Sequence, residues 1–267
     1  MMIRFKIFLS LIFLSSPLFA SGNLSVGPGG IPGCVLYLSF DEGSGTTVFD
    51  KSRNGNNGTL AGSPAWVTGR NGYGLQFDRG SSDVVNVNDS ASLKPTAVSI
   101  VFWYKQTERS NLITGFGLVN KVAGTGTSWA LDNGIIGGAT RSIYFGLDNV
   151  PTNTVQGTIP IDDFRPHVII CTYDLKFMRI FIDGRAAGSF ATADAINYAS
   201  PGDLRIGNYN ATSQSCYAII DDFAIFNRAI SNGEVSYISA FLLGQNEQTF
   251  FGTFGKPDYS RMIGMGL

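Results

Sequence analysis

From Cys34 to Phe226 the chain repeats one device: a short run of Val, Ile, Leu, Phe and Tyr closed off by Gly, Pro, Asn or Asp. The runs are CVLYLSF, YGLQF, VVNV, VSIVFWYK, SIYFGL, HVIICTYD, MRIFIDG, DLRIGN and YAIIDDFAIF. β-Branched and aromatic side chains suit a pleated, half-buried surface. With 33 Gly and 10 Pro punctuating them, the runs predict an all-β domain. YDLKF and Asp183-Gly184 have the composition of tight turns, so HVIICTYD, KFMRIFID and RAAGSFA read as a three-stranded meander. One helix interrupts the pattern. In SNGEVSYISAFLLG, Ser231 and Glu234 have capping-box spacing ahead of Val235, Ile238 and Leu242, with Gly244 as the terminator.

A chain of 267 residues with 44% hydrophobic content can bury one large core, and no internal repeat divides it. Residues 32–244 therefore read as one domain, two antiparallel sheets facing each other as a β-sandwich with one short C-terminal helix. A net charge of -1 without any block of like charge gives no electrostatic footprint for nucleic acid. Residues 1–22, MMIRFKIFLSLIFLSSPLFASG, carry Arg4 and Lys6, an apolar run and a small-residue end, and read as a signal peptide. The mature protein is then expected to be secreted or otherwise extracytoplasmic, with no membrane insertion after cleavage. Residues 245–267 read as an irregular tail whose Phe250, Phe251 and Phe254 suit edge packing, docking to a partner or self-association. Cys34, Cys171 and Cys216 are odd in number, so packing rather than disulfides is expected to hold the core, with Cys171 a small buried hydrophobe.

The blocks LYLSFDEGSGTTVFDKSRNGNNGTL, YGLQFDRGSSDVVNV, VSIVFWYK, HVIICTYDLKFMRIFIDGR and LRIGN followed by IIDDFAIFNRAISNGEV occur in an order that resembles the laminin-G-like jelly-roll domains of the concanavalin A-like lectin/glucanase superfamily. Two positions depart from that family's pattern: Arg165-Pro166-His167 stands where Trp-His-His is usual, and Asp221-Asp222 where an Asp-Glu pair is usual. The resemblance implies a jelly roll of two curved antiparallel sheets and leaves function open, because that fold hosts lectins, adhesive modules and hydrolases.

If the first and last strands pair, CVLYLSFD and YAIIDDFAIF bring Asp41 near Asp221, where two carboxylates repel unless a cation separates them. The loop around Asp50 and Asn56 offers further hard oxygen ligands, and the resembled family often holds a structural Ca²⁺ with an Asp of the last strand, here Asp221. Asp41, Asp221, Asp50 and Asn56 are thus the candidate ligands of a structural calcium ion. Turn chemistry is the alternative, since Asn54-Gly55 and Asn57-Gly58 suit tight turns without metal.

For catalysis the residues offer little. Glu42, Glu108, Glu234 and Glu247 are scattered, adjacent aspartates such as Asp221 and Asp222 are expected to point to opposite faces of a strand, and the one histidine, His167, opens an apolar run where a structural role is expected. The Gly-rich VAGTGTS and GIIGGAT read as turns. A binding role would use exposed aromatics, for which Trp66, Trp129, Tyr144, Tyr198 and Tyr209 are candidates, while Trp103 reads as core. Tyr209 is the preferred one because Asn208 and Asn210 flank it with hydrogen-bonding groups. The expectation is a non-catalytic module recognising a glycan or an extracellular protein surface. The alternatives are a self-associating structural or adhesive component of a cell envelope or virion, and a divergent glycoside hydrolase.

Overall fold

The computed structural model describes residues 27–78, 82–108, 116–123, 126–136, 140–147, 153–208 and 215–244. The sequence-predicted signal peptide and tail lie outside them, as do Tyr209 and Asn210. Among the described residues the strands are β1 (Cys34–Leu38), β2 (Thr47–Val48), β3 (Gly58–Ala61), β4 (Ala65–Thr68), β5 (Tyr73–Phe77), β6 (Val84–Val87), β7 (Val98–Gln106) and β8 (Phe116–Ala123). They continue with β9 (Gly126–Ile136), β10 (Thr140–Leu147), β11 (Thr154–Gln156), β12 (Pro166–Tyr173), β13 (Phe177–Ile182), β14 (Arg185–Ala191), β15 (Leu204–Ile206) and β16 (Ala218–Phe226), and the helix is α1 (Asn232–Leu242).

Two antiparallel sheets form the predicted sandwich. The first runs β14-β13-β12-β7-β16-β5-β4, with β1 joined to β16; the second runs β11-β10-β9-β8-β15-β6-β3-β2. The meander β12-β13-β14 forms as expected, and Asp183 and Gly184 both take positive φ (54° and 77°), the conformation of a two-residue hairpin turn. First and last strands also pair, with Leu38 opposite Phe223 and Cys34 opposite Phe226.

The inward faces of both sheets make one core, including Leu36, Phe77, Phe102, Tyr104, Trp129, Phe145, Tyr173 and Ile225. A second cluster lies on the other side of the first sheet, where Val235, Ile238 and Leu242 of α1 cover Val101, Trp103, Val168, Ile170 and Phe226. Burying each of those three helix side chains is worth about 1.5–3 kcal/mol. Double coverage explains why VSIVFWYK and HVIICTY read as continuous apolar runs rather than alternating ones. α1 opens with the predicted capping box: the Ser231 side chain accepts from the Glu234 backbone N–H, and Glu234 accepts from that of Ser231. Gly244 follows its end with φ 68°. The helix occupies the outer face of the first sheet, and among the described residues no helix covers the outer face of the second.

All three cysteines are unpaired, and burial raises the Cys171 thiol well above its ordinary pKa. Among the described residues no helix is long and apolar enough to cross a membrane.

Candidate functional site

The open face of the second sheet is built by register. Thr154 of β11, Gly146 of β10, Ala130 of β9, Asn120 of β8, Arg205 of β15, Asn86 of β6, Thr59 of β3 and Thr47 of β2 are successive cross-strand partners, one row crossing all eight strands. Side chains directly opposite one another share a face. Their sequence neighbours Leu131, Phe145, Val119, Leu204, Val85 and Val87 all enter the core, so this row points outward. It is polar at the ends and small in the middle. Ala130 and Asn120 are 8% and 3% exposed, so the row dips into a trough.

A second row runs parallel to it: Gly117, Asp132, Tyr144 and Gln156 are partners across β8, β9, β10 and β11. The Tyr144 hydroxyl donates to the Ile135 carbonyl at 2.9 Å, and its ring lies over Gly134, where a Cβ would collide with Cδ2, Cε2 and Cζ. The ring is therefore pinned along the sheet, half-buried, in the attitude an aromatic needs to stack on a flat ligand. Beside it, Asp132 is half-buried, and burial pushes its carboxyl up to about 6. Sequence reasoning found Tyr144 but missed Asp132 and Gln156. The signal was available only through the pairing, since all three come from different strands.

Of the preferred group, Asn208 lies within the described residues. Asn208 is wholly buried, and its Nδ2 donates to Ser215 Oγ at 2.9 Å, while that hydroxyl spends its proton on the Asp83 carbonyl at 3.1 Å. Among the described residues its Oδ1 has no hydrogen-bond partner. Asn208 lines a cleft of about 360 Å³ together with Gly62, Ser82, Asn86, Asp203 and Arg205. Of the other aromatic candidates, Trp129 needs correction. Trp129 is fully buried, not a rim residue, because β9 places it on the inward face with Leu131. Trp66 donates its indole N–H to the Gly45 carbonyl, and it and Tyr198 pack partly buried against the core. Trp103 is core, as expected.

The proposed calcium ligands separate into two groups. Asp50 is consumed by turn chemistry: Oδ1 accepts from the backbone of Tyr37 and Ser52, and Oδ2 from Ser52 Oγ and the backbone of Asn56. Asn56 is equally engaged, with Val35, Ser92 and Ser90. Asp41 and Asp221, by contrast, flank one turn. A Cβ on Gly72 would touch Asp41 Oδ1, and one on Gly69 would collide with Asp221 Oδ2. The four residues thus do not form one ligand set, and among the described residues no group of three or more His, Cys, Asp or Glu is arranged to hold a metal.

Asp221 and Asp222 also do not point to opposite faces. The β16–β7 register shifts between Asp221 and Ala224, and Asp222 takes φ 49°, so both carboxylates turn toward Arg70. Arg70 donates its backbone N–H to Asp221 at 2.7 Å and its Nε to Asp222 at 2.5 Å. Burial first, then the charge of Asp222, pushes Asp221 up to about 8, and Asp41 adds to the effect. His167 is structural as expected: its ring bridges Asp183 at 2.8 Å and Asp163 at 3.0 Å at the start of β12.

A two-sheet β-sandwich with one outer face covered by a helix and the other open is thus the class the geometry defines. The chain belongs to the concanavalin A-like lectin/glucanases superfamily, whose laminin-G-type family model matches residues 79–236. No curated protein matches its sequence. Solved structures share the jelly-roll fold at low identity. The binding domain of Paraclostridial Mosquitocidal Protein 1 is 18% identical with a TM-score of 0.62, over 78% of this chain and 52% of that one. Domain 4 of AbnA, a GH43 extracellular arabinanase from Geobacillus stearothermophilus, in complex with arabinotriose, is 14% identical with a TM-score of 0.59, over 77% of this chain and 98% of that one. The binding domain of botulinum neurotoxin DC in complex with SialylT is 14% identical with a TM-score of 0.59, over 79% of this chain and 51% of that one. The chain therefore spans about half of the toxin binding domains and nearly all of the arabinanase domain. At such identities the likeness shows the fold alone.

Proposed function

We propose that this is an exported, non-catalytic glycan-binding module whose binding face is the trough on the second sheet. The observation that carries the reading is Tyr144, pinned flat over Gly134 and flanked in register by Asp132 and Gln156. A stacking ring between a carboxylate and an amide is the set of groups that recognises a sugar, whose ring faces are apolar and whose rim is hydroxyl. Three similar folds support the class: two toxin binding domains, one in complex with SialylT, and an arabinanase domain in complex with arabinotriose. The test is calorimetric titration of wild type and Tyr144→Ala with arabinotriose and a panel of other neutral oligosaccharides. Saturable binding that weakens at least tenfold in Tyr144→Ala, about 1.4 kcal/mol, is expected. Absence of any glycan binding, together with concentration-dependent self-association in sedimentation, would replace this reading with the structural or adhesive one.

We also infer a structural Ca²⁺ at the corner shared by Asp41 and Asp221, with Asp50 and Asn56 serving the turn alone. The crowding of negative charge around Asp221 favours it, since a hard cation bound by carboxylate oxygens would relieve that repulsion.

A further inference from the structure

Asp132 stands on the open face of the second sheet among small neighbours. Gly117 lies opposite it on β8, and Ala130 and Gly134 lie two residues away along β9 on the same face. The one large side chain beside it is Tyr144, opposite on β10, with the neutral Gln156 next on β11. Among the described residues no hydrogen bond or ion pair engages the Asp132 carboxylate. Asp132 is half-buried, and its oxygens are not sealed as the Asn208 oxygen is, so a ligand in the trough can reach them.

The cations of the neighbouring strands are committed elsewhere. Lys121 of β8 is held by Asp89 at 2.7 Å, and Arg141 of β10 turns inward to the carbonyl and Oδ1 of Asn133, each at 3.2 Å. Arg205 is two strands away, about 10 Å across the sheet, and shares its cleft with Asp203, so that end of the trough holds one charge of each sign. Burial pushes the Asp132 carboxyl up to about 6, which still leaves it ionised at neutral pH. A carboxylate half out of water and unpaired favours a donor that brings a positive charge with it: a sugar hydroxyl can donate to its oxygens, whereas an ammonium donates and also cancels the charge. Tyr144 adds to the preference. One face of its ring is laid on Gly134, and the electron-rich opposite face attracts a cation as well as the apolar face of a sugar.

We propose that Asp132 makes the site selective for an amino sugar, whose ring stacks on Tyr144 while the ammonium at its rim donates to the Asp132 carboxylate. The proposal rests on the glycan-binding reading above and names its ligand class.

The experiment titrates matched oligosaccharides of three or four sugars, each in hydroxyl, free-amine and N-acetylated form, and a lysine-rich peptide, into wild type, Asp132→Asn and Tyr144→Ala. In wild type at pH 7 the free-amine form binds about 10–100-fold tighter than the other two, the range of one charge-assisted hydrogen bond, and added salt narrows the gap. At pH 5 the gap shrinks about tenfold, because a carboxyl that titrates near 6 has then taken up its proton. Asp132→Asn erases the difference between the charged and uncharged forms and its dependence on pH, whereas Tyr144→Ala weakens all three. Equal binding of the three forms with Tyr144 required would overturn the amino-sugar assignment and leave glycan binding standing. A preference for the amine that survives in Asp132→Asn would overturn the assignment as well. Binding of the lysine-rich peptide but of no oligosaccharide would overturn both readings. Asp132→Asn removes an unpaired, half-buried charge, so melting no lower than wild type at pH 7 serves as the check that folding is intact.

Discussion

The ring of Tyr144 occupies the space in which any residue other than glycine at position 134 would place its Cβ. Gly134 does not need glycine for its φ, so the requirement is one of volume. Gly134→Ala should therefore fold, with stability changed by no more than about 1 kcal/mol, while the ring lifts and its hydroxyl leaves the Ile135 carbonyl. Ligand affinity should fall as far as in Tyr144→Ala. A Gly134→Ala protein that binds as wild type does would show that the flat attitude of the ring has no part in recognition.

Among the described residues Trp129 is the largest side chain fully inside the sandwich. Trp129→Ala should cost about 3–5 kcal/mol in equilibrium denaturation, the range for deleting a buried aromatic. A cost below 1 kcal/mol accompanied by lost binding would return it to the rim.

How far the sequence could be read is clear from these two residues. The meander around Asp183-Gly184, the capped helix and the approach of Asp41 to Asp221 were all legible, because each depends on local turn chemistry, a cap or one strand pairing. GTSWALDNGII was not legible as a strand. Its Gly, Asp and Asn suggest turns, yet residues 126–136 form the long strand β9. The reason is tertiary: inward-facing Asn133 donates to the buried Tyr104 hydroxyl at 3.0 Å and accepts from Arg141, so polar side chains are satisfied inside a core that patterning would reserve for apolar ones. Once that strand is missed, the phase of Trp129 and Asp132 is lost with it. The same limit applies at Asp221-Asp222, where a bulge cancels the alternation that the sequence implies.

The capping box of α1 offers a direct stability test. Ser231→Ala removes the acceptor for the Glu234 N–H and should cost about 1 kcal/mol, seen as a lower denaturation midpoint at unchanged slope. An unchanged midpoint would mean that packing onto Trp103 and Val168 alone sets the helix.

His167 makes part of the stability depend on pH. Burial of the ring favours its neutral form, but the hydrogen bonds and charges of Asp183 and Asp163 outweigh that and leave the pKa raised. A histidine raised above its unfolded value stabilises the protein below about pH 6.5, and that contribution disappears as pH rises through the native value. Unfolding free energy should fall across this window in wild type, and the fall should be smaller in His167→Gln. Parallel profiles for the two proteins would remove His167 as its source.

Asp221 has the same sign over a wider range, and this makes the calcium reading testable. Its carboxyl, ordinarily near 3.8, is pushed up to about 8 by burial and by Asp222. The native state therefore prefers the protonated form, and without a cation stability should decline as pH rises from about 4 to about 8. A Ca²⁺ ion at the corner competes with that proton, so its effect should grow with pH, reaching about 2.7 kcal/mol at a hundredfold excess over Kd. Thermal melts in EDTA and in millimolar Ca²⁺ should separate at pH 8, converge near pH 5, and coincide throughout for Asp221→Asn. Coincident wild-type melts at pH 8 would assign the Asp41–Asp221 corner to turn chemistry, with Arg70 the cation that holds it. The slope of stability with pH in EDTA would remain, because it arises from the buried carboxylate whatever else the corner binds.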